Sequence, residues 1–231
     1  MENMYMNKPT GKDHKFFEKH LDNDLPELAE FLQNQYSNME TLKLSGITKV
    51  TPRDHWLSSD SVSTIKWREY NVFQFYHPSI HNLYKNISDT IKEACEYYEI
   101  NFEEQKYMVQ GWFNINYNHS GKLDWHDHGG PYAPYFHGYY CVNAEPSITY
   151  YSVFGNQVEN HNKNNRMIIS EMGHPHAMGD WDWEGPRVTI AYDIMPLKSL
   201  IANKAEPQHW IPLLWQPLLE YVYTLIKAKS Y

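Results

Sequence analysis

Cysteine is scarce: the 231 residues hold only Cys95 and Cys141, with no CxxC spacing. That excludes a disulfide-stapled scaffold and a zinc ribbon, and leaves two buried thiols in a reducing compartment as the expectation. Positive charge is also short. Lys and Arg total 20 against 28 Asp and Glu, a formal net charge of −8. Without a Lys/Arg run, the chain lacks the electrostatic footprint of a nucleic-acid binder. No apolar run is long enough to span a bilayer. The polar opening MENMYMNKPTGKDHK lacks the hydrophobic core of a secretory leader. A cytoplasmic protein with no membrane association is expected. No repeat, low-complexity run or linker divides the sequence, so residues 1–231 read as a single domain.

Hydrophobic residues make up 42% and aromatics 16%, with 19 Tyr and 8 Trp. That is enough for a real core, and rings of this kind favour pleated, half-buried surfaces. A helical support is expected over about 16–105. Its first helix opens at Asp24, an N-cap with Pro26 and Glu27 in the first turn. LSGITKV (Leu44–Val50) reads as a strand. The clearest helix runs from Pro78 to Tyr98, where Ile80, Leu83, Tyr84, Ile87, Ile91, Ala94, Cys95 and Tyr98 recur at helical steps. Over about 106–196 the pattern turns to short strands: YMVQGWFNINY, FHGYYCVN, ITYYSVF, RMIISE and RVTIAYDI. Turn residues separate them, which suggests a sandwich or barrel. A last helix is expected over about 213–228.

The informative stretch is Leu123-Asp-Trp-His126-Asp-His128-Gly-Gly130. On a strand, residues i and i+2 point to the same face, so His126 and His128 can share a metal ion. Glu171-Met-Gly-His174-Pro-His176 offers a third ligand in His176, with His174 in reserve. Imidazoles suit iron, zinc, copper or nickel, so they do not choose the metal. Arg187 and Thr189 share a face of the strand RVTIAYDI. A guanidinium fork beside a hydroxyl can hold a carboxylate bidentately.

In order, His126-x-His128, His176 and Arg187-x-Thr189 resemble the iron(II)/2-oxoglutarate oxygenase superfamily, particularly its small phage and marine bacterial members. The Trp112-Phe-Asn114 strand before the first histidine and the His137-Gly-Tyr-Tyr140 strand after it are similar too. The resemblance covers roughly Gln110–Pro196. It implies a mainly β double-stranded β-helix, or jelly roll, flanked by α-helices. It implies Fe(II), 2-oxoglutarate and O2, with 2-oxoglutarate decarboxylated to succinate as an unidentified substrate is hydroxylated. His126 and His176 would ligate iron. Arg187 would hold the far carboxylate of 2-oxoglutarate, with Thr189 or Tyr140 assisting. Asn114 or Asn116 would contact the cosubstrate.

One departure bears on the chemistry. The family's carboxylate ligand is replaced by His128. His128 is a true third ligand, or Asp127 or Asp124 swings in through a bulge, or the motif starts at His128 and a glycine leaves room for a halide. The Trp181-Asp-Trp183 loop is expected to roof the metal, and Tyr132, Tyr135 and Phe136 to line the substrate side. Three rival functions remain: a cupin-like metalloenzyme without 2-oxoglutarate, a zinc hydrolase, and a non-catalytic ligand-binding jelly roll. Only the oxygenase gives Arg187-x-Thr189 a reason to lie beneath the metal.

Overall fold

The computed structural model describes residues 15–44, 61–67, 70–100, 102, 107–117, 124–128, 136–171, 174–202 and 210–213. Ten strands and three α-helices lie among them: β1 (Phe17–His20), α1 (Leu25–Leu44), β2 (Ser61–Ser63), α2 (Pro78–Tyr97), β3 (Tyr107–Asn116), β4 (Phe136–Asn143), β5 (Ile148–Val153), β6 (Asn156–His161), β7 (Arg166–Glu171), β8 (His176–Met178), β9 (Arg187–Pro196), α3 (Leu197–Ala202) and β10 (Ile211–Pro212).

The helices start where side chains can satisfy their open N–H groups. Asp24 Oδ1 accepts from Glu27 N at 3.1 Å at the head of α1. His77 Nδ1 accepts from Ser79 N at 3.2 Å at the head of α2, whose first residue is Pro78. The α1 helix extends through Leu44, so the expected strand LSGITKV gives up that residue to a helix, and residues 45–50 lie outside the described residues. The expected C-terminal helix also lies outside them, except for its first residue, Leu213.

The strands form two sheets. The larger has seven strands in the order β1-β7-β4-β9-β3-β10, with β2 also on β3, and the smaller has three in the order β6-β5-β8. The named pairings within them are antiparallel. Strand pleating gives the larger sheet two distinct faces. One carries Val109, Phe113, Phe136, Tyr140, Val188, Ile190, Tyr192 and Ile194, packed with Leu28, Leu32, Ile80, Leu83, Ile87 and Ile91 of α1 and α2. The other carries Trp112, Tyr139, Cys141, Ile168 and Ala191, packed with Tyr151 and Val153 of the smaller sheet. Two antiparallel sheets face to face, with helices behind the larger one, make a jelly roll. The alternation expected on RVTIAYDI is observed: Val188, Ile190 and Tyr192 face the helices, and Ala191 faces the other sheet. The space between the sheets is where the chemistry-bearing residues collect.

Candidate metal centre

Residues 124–128 join the smaller sheet at its edge. His126 N donates to His176 O at 3.0 Å, and His176 N donates to His126 O at 2.8 Å. This reciprocal bridge sets the two imidazoles side by side, with ring centroids 4.3 Å apart. His128 follows at the same-face spacing. One ligand nitrogen from each of His126, His128 and His176 lies within 4.8 Å of the other two. The three histidines read from the sequence are thus brought to one point. His174 lies beside them in sequence but outside that group, and serves through its backbone carbonyl.

Each ring is held from behind. His126 Nδ1 lies 2.8 Å from the Asp124 carbonyl oxygen, and His176 Nδ1 lies 3.3 Å from the His174 carbonyl oxygen. His128 Nδ1 lies 2.9 Å from Asp193 Oδ2. A carbonyl or ionised carboxylate can only accept, so each Nδ1 carries the proton and donates. That places the lone pair on Nε2, the tautomer a metal ligand needs. Burial lowers the pKa of His126 and drives that of His176 well down, with neighbouring imidazoles adding to both shifts. Neutral rings with lone pairs converging on one point fit a divalent transition metal.

Asp124 and Asp127 are exposed, and Asp124 contributes only its backbone oxygen here. The carboxylate that does reach the centre is Asp193, which is buried on β9. It also takes His137 Nδ1–H on Oδ1 at 2.8 Å, and His137 and Asp193 stand opposite each other on β4 and β9. Burial raises the Asp193 pKa, but His128 and His137 together hold it below the usual carboxylate range. Burial and His128 lower His137 to about 4, against the pull of Asp193. Trp112 stacks on His128 with centroids 5.7 Å apart. Sequence reasoning missed His137 and Asp193 as site residues. The signal was present, since counting in twos from Arg187 through Thr189 and Ala191 reaches Asp193 on the same face.

Arg187 lies at the other end of the cup. Tyr151 pairs with His176 near the start of β8, whereas Ser147, just before β5, accepts from Arg187 Nε at 2.9 Å. Four residues of nearly extended chain separate those two levels, about 13 Å. Arg187 and Thr189 are both buried on the cup side, and Asn116 and Asn114 stand opposite them on β3. Burial lowers the arginine's pKa, and the opposing influences are Cys141 and Tyr139, with no carboxylate among them. The Ser147 hydroxyl also accepts from Asn162, whose side chain meets Thr149 and accepts from Tyr139.

Several expectations need correction. Tyr140 points to the helix side, where its hydroxyl meets Asn23 and Asn165, so it does not assist Arg187. Tyr139 occupies the cup side instead. Phe136 also packs on the helix side, away from the metal. The Trp181–Trp183 loop does not roof the centre. It follows Gly179, which donates to Ile148 O at 2.8 Å, at the Arg187 end of the cup. Tyr132, Tyr135, Gly129 and Gly130 lie outside the described residues.

A facing pair of antiparallel sheets with histidines at one end of the cup and a buried arginine at the other defines the double-stranded β-helix. Solved structures share it. The non-heme alpha ketoglutarate dependent carbocyclase SnoK from nogalamycin biosynthesis superposes with a TM-score of 0.50 at 10% identity, covering 79% of this chain and 80% of that one. A presumed oxygenase from Shewanella oneidensis also gives 0.50 at 10% identity, covering 83% and 90%. No known family profile matches the chain, and no curated protein does. The resemblance read from the motifs therefore holds at the level of the fold.

Proposed function

We propose that this protein is an Fe(II)- and 2-oxoglutarate-dependent oxygenase, a hydroxylase of an unidentified substrate. The observation that carries the reading is Arg187: a buried guanidinium whose hydrogen-bond partner among the described residues is a neutral serine, at the far end of a cup headed by three clustered imidazoles. A buried unpaired charge is costly and calls for an anion. A short dicarboxylate answers both ends, with one end at the metal and the other at the guanidinium. A cupin-like or hydrolytic centre gives Arg187 no such partner.

The roles divide as follows. His126, His128 and His176 hold the ion through Nε2. Arg187, oriented by Ser147, receives the far carboxylate, and Thr189 adds a hydroxyl on the same face. Asn114, opposite Thr189, lines that wall. Trp112, stacked over His128, excludes water from one side of the centre. Bound iron supplies the O2 chemistry that couples 2-oxoglutarate decarboxylation to C–H oxidation, and the chain supplies ligation, orientation and dryness.

The test is a titration of the anaerobic iron protein with 2-oxoglutarate, followed by the metal-to-ligand charge-transfer band. Arg187→Lys keeps the charge and loses the fork. Losing one charge-assisted bond costs on the order of 1.5–3 kcal/mol, roughly ten- to a hundredfold in affinity, with iron binding retained. A parent protein that binds no 2-oxoglutarate, or an Arg187→Ala variant that binds it as well as the parent, ends the oxygenase reading.

A further inference from the structure

Three neutral imidazoles around a divalent ion leave its two positive charges unbalanced by the ligand set. Among the described residues, Asp193 is the buried carboxylate that hydrogen-bonds to this cluster of imidazoles. Asp193 is buried at 7% exposure, and each of its oxygens meets a different histidine, Oδ2 with His128 and Oδ1 with His137. The imidazole rings of His128 and His137 are 4.0 Å apart, and that of His137 is 4.7 Å from His176. Asp193 thus stands directly behind the ring that occupies the third ligand position.

We infer that Asp193 is the positioning residue of the metal centre: it fixes His128 in the Nδ1–H tautomer and supplies, one hydrogen bond behind that ligand, the negative charge that the ligand set itself lacks. This rests on the reading of His126, His128 and His176 as the metal ligands. A carboxylate behind a ligating imidazole orients the ring and raises its basicity, and such partners typically matter ten- to a hundredfold in metal affinity. With Asp193 ionised and accepting only, it has two donors for its two oxygens. His137 is the second donor and braces the carboxylate from the neighbouring strand. Position 128 and position 193 then work as one unit, in which the charge sits behind the ligand rather than on it.

The experiment compares the parent, Asp193→Asn, and Asp193→Asn combined with His128→Asp, which moves the carboxylate onto the metal. The metal-free proteins are titrated with Co(II), and the Fe(III)/Fe(II) midpoint potential of each iron-loaded protein is measured. Asp193→Asn is expected to weaken Co(II) binding by about ten- to a hundredfold and to raise the potential. The double variant is expected to recover most of the affinity, which a merely structural carboxylate would not allow. In the zinc-loaded, ¹⁵N-labelled parent, long-range proton–nitrogen correlations should find the His128 and His137 protons on Nδ1. Unchanged Co(II) affinity and potential in Asp193→Asn would overturn the inference while leaving the metal centre intact. A His128 Nδ1 bound to zinc would overturn it too, because Asp193 would then be a ligand beside His128. That tautomer measurement on the parent decides the matter even if Asp193→Asn does not fold. A parent that binds no metal overturns the underlying ligand assignment as well.

Discussion

Adjacent tyrosines on β4 have opposite fates, and the difference can be measured. Tyr139 donates to Asn162, which also donates to Ser147, the acceptor of Arg187. Tyr140 lies across the sheet among the helices, with Asn23 and Asn165 at its hydroxyl. Tyr139→Phe should weaken 2-oxoglutarate binding several-fold in the charge-transfer titration, because the amide that holds Ser147 loses a donor. Tyr140→Phe should leave that titration unchanged and lower stability by about 1 kcal/mol, the usual worth of one hydrogen bond, in urea unfolding. The sequence could not choose between the two. Every residue of β4 except its last, Asn143, is buried, so no polar alternation marks which face is which. The histidines escaped this ambiguity because His126 and His128 flank the exposed Asp127.

The elements that could be read were long enough and apolar enough to show a pattern, whereas β6, as long as β5 and β7 but polar and mostly exposed, was not among those expected. The α2 helix and strands β3, β4, β5, β7 and β9 all appear within a residue or two of their expected bounds, the helix because its apolar residues recur at helical steps and the strands because each is an apolar run closed by turn residues. Strand β8 has three residues and β2 has three, too few for any period to show. Missing β8 also misplaced the Trp181–Trp183 loop, since a strand after His176 carries the chain away from the metal. Two predictions belong at this scale. His77 caps α2 with an unprotonated Nδ1, and burial lowers its pKa from 6.5. The unfolded chain therefore binds more protons than the folded one just below pH 6.5. Stability should fall as pH drops through that range, and His77→Asn, which keeps an acceptor without the titration, should flatten the slope in denaturation at pH 5 to 7 (a range set by the ordinary histidine pKa of about 6.5). Gly138 on β4 is the second case. A Cβ there would meet Ile168 O and the Tyr192 ring at 2.3 Å. The Tyr192 hydroxyl donates to that same Ile168 oxygen at 2.9 Å, so neither neighbour can yield cheaply. Gly138→Ala should cost roughly 1–3 kcal/mol, the usual range for overpacking, read from the urea midpoint.

At the scale of the molecule, the cup is a seam between sheets. His126 and His176 belong to the smaller sheet, while Asp193, which holds His128, and Arg187 belong to the larger. Anything that fills the cup ties one sheet to the other. A ligand that binds only the folded state raises stability by mass action, about 2.7 kcal/mol at a hundredfold excess over its dissociation constant. Metal and 2-oxoglutarate together should raise Tm by more than the sum of their separate effects, because the second needs the first. In a thermal scan with Mn(II), 2-oxoglutarate alone should shift Tm little. The Arg187→Ala variant should keep the metal shift and lose the added one.

The mutual main-chain bonds between His126 and His176 have a consequence for how the centre is assembled. Two of its three donors are spaced by backbone and not by side-chain packing. An incoming ion therefore meets a bidentate chelate that is already closed, and the entropy of bringing those donors together has been spent during folding. The third donor, His128, is held instead by a side chain, Asp193 of the larger sheet. That makes position 128 the natural place for substitution over evolutionary time. Imidazole, carboxylate or a small residue can be exchanged there while the other two donors keep their spacing, so the same scaffold can host ions and reactivities that differ without being rebuilt.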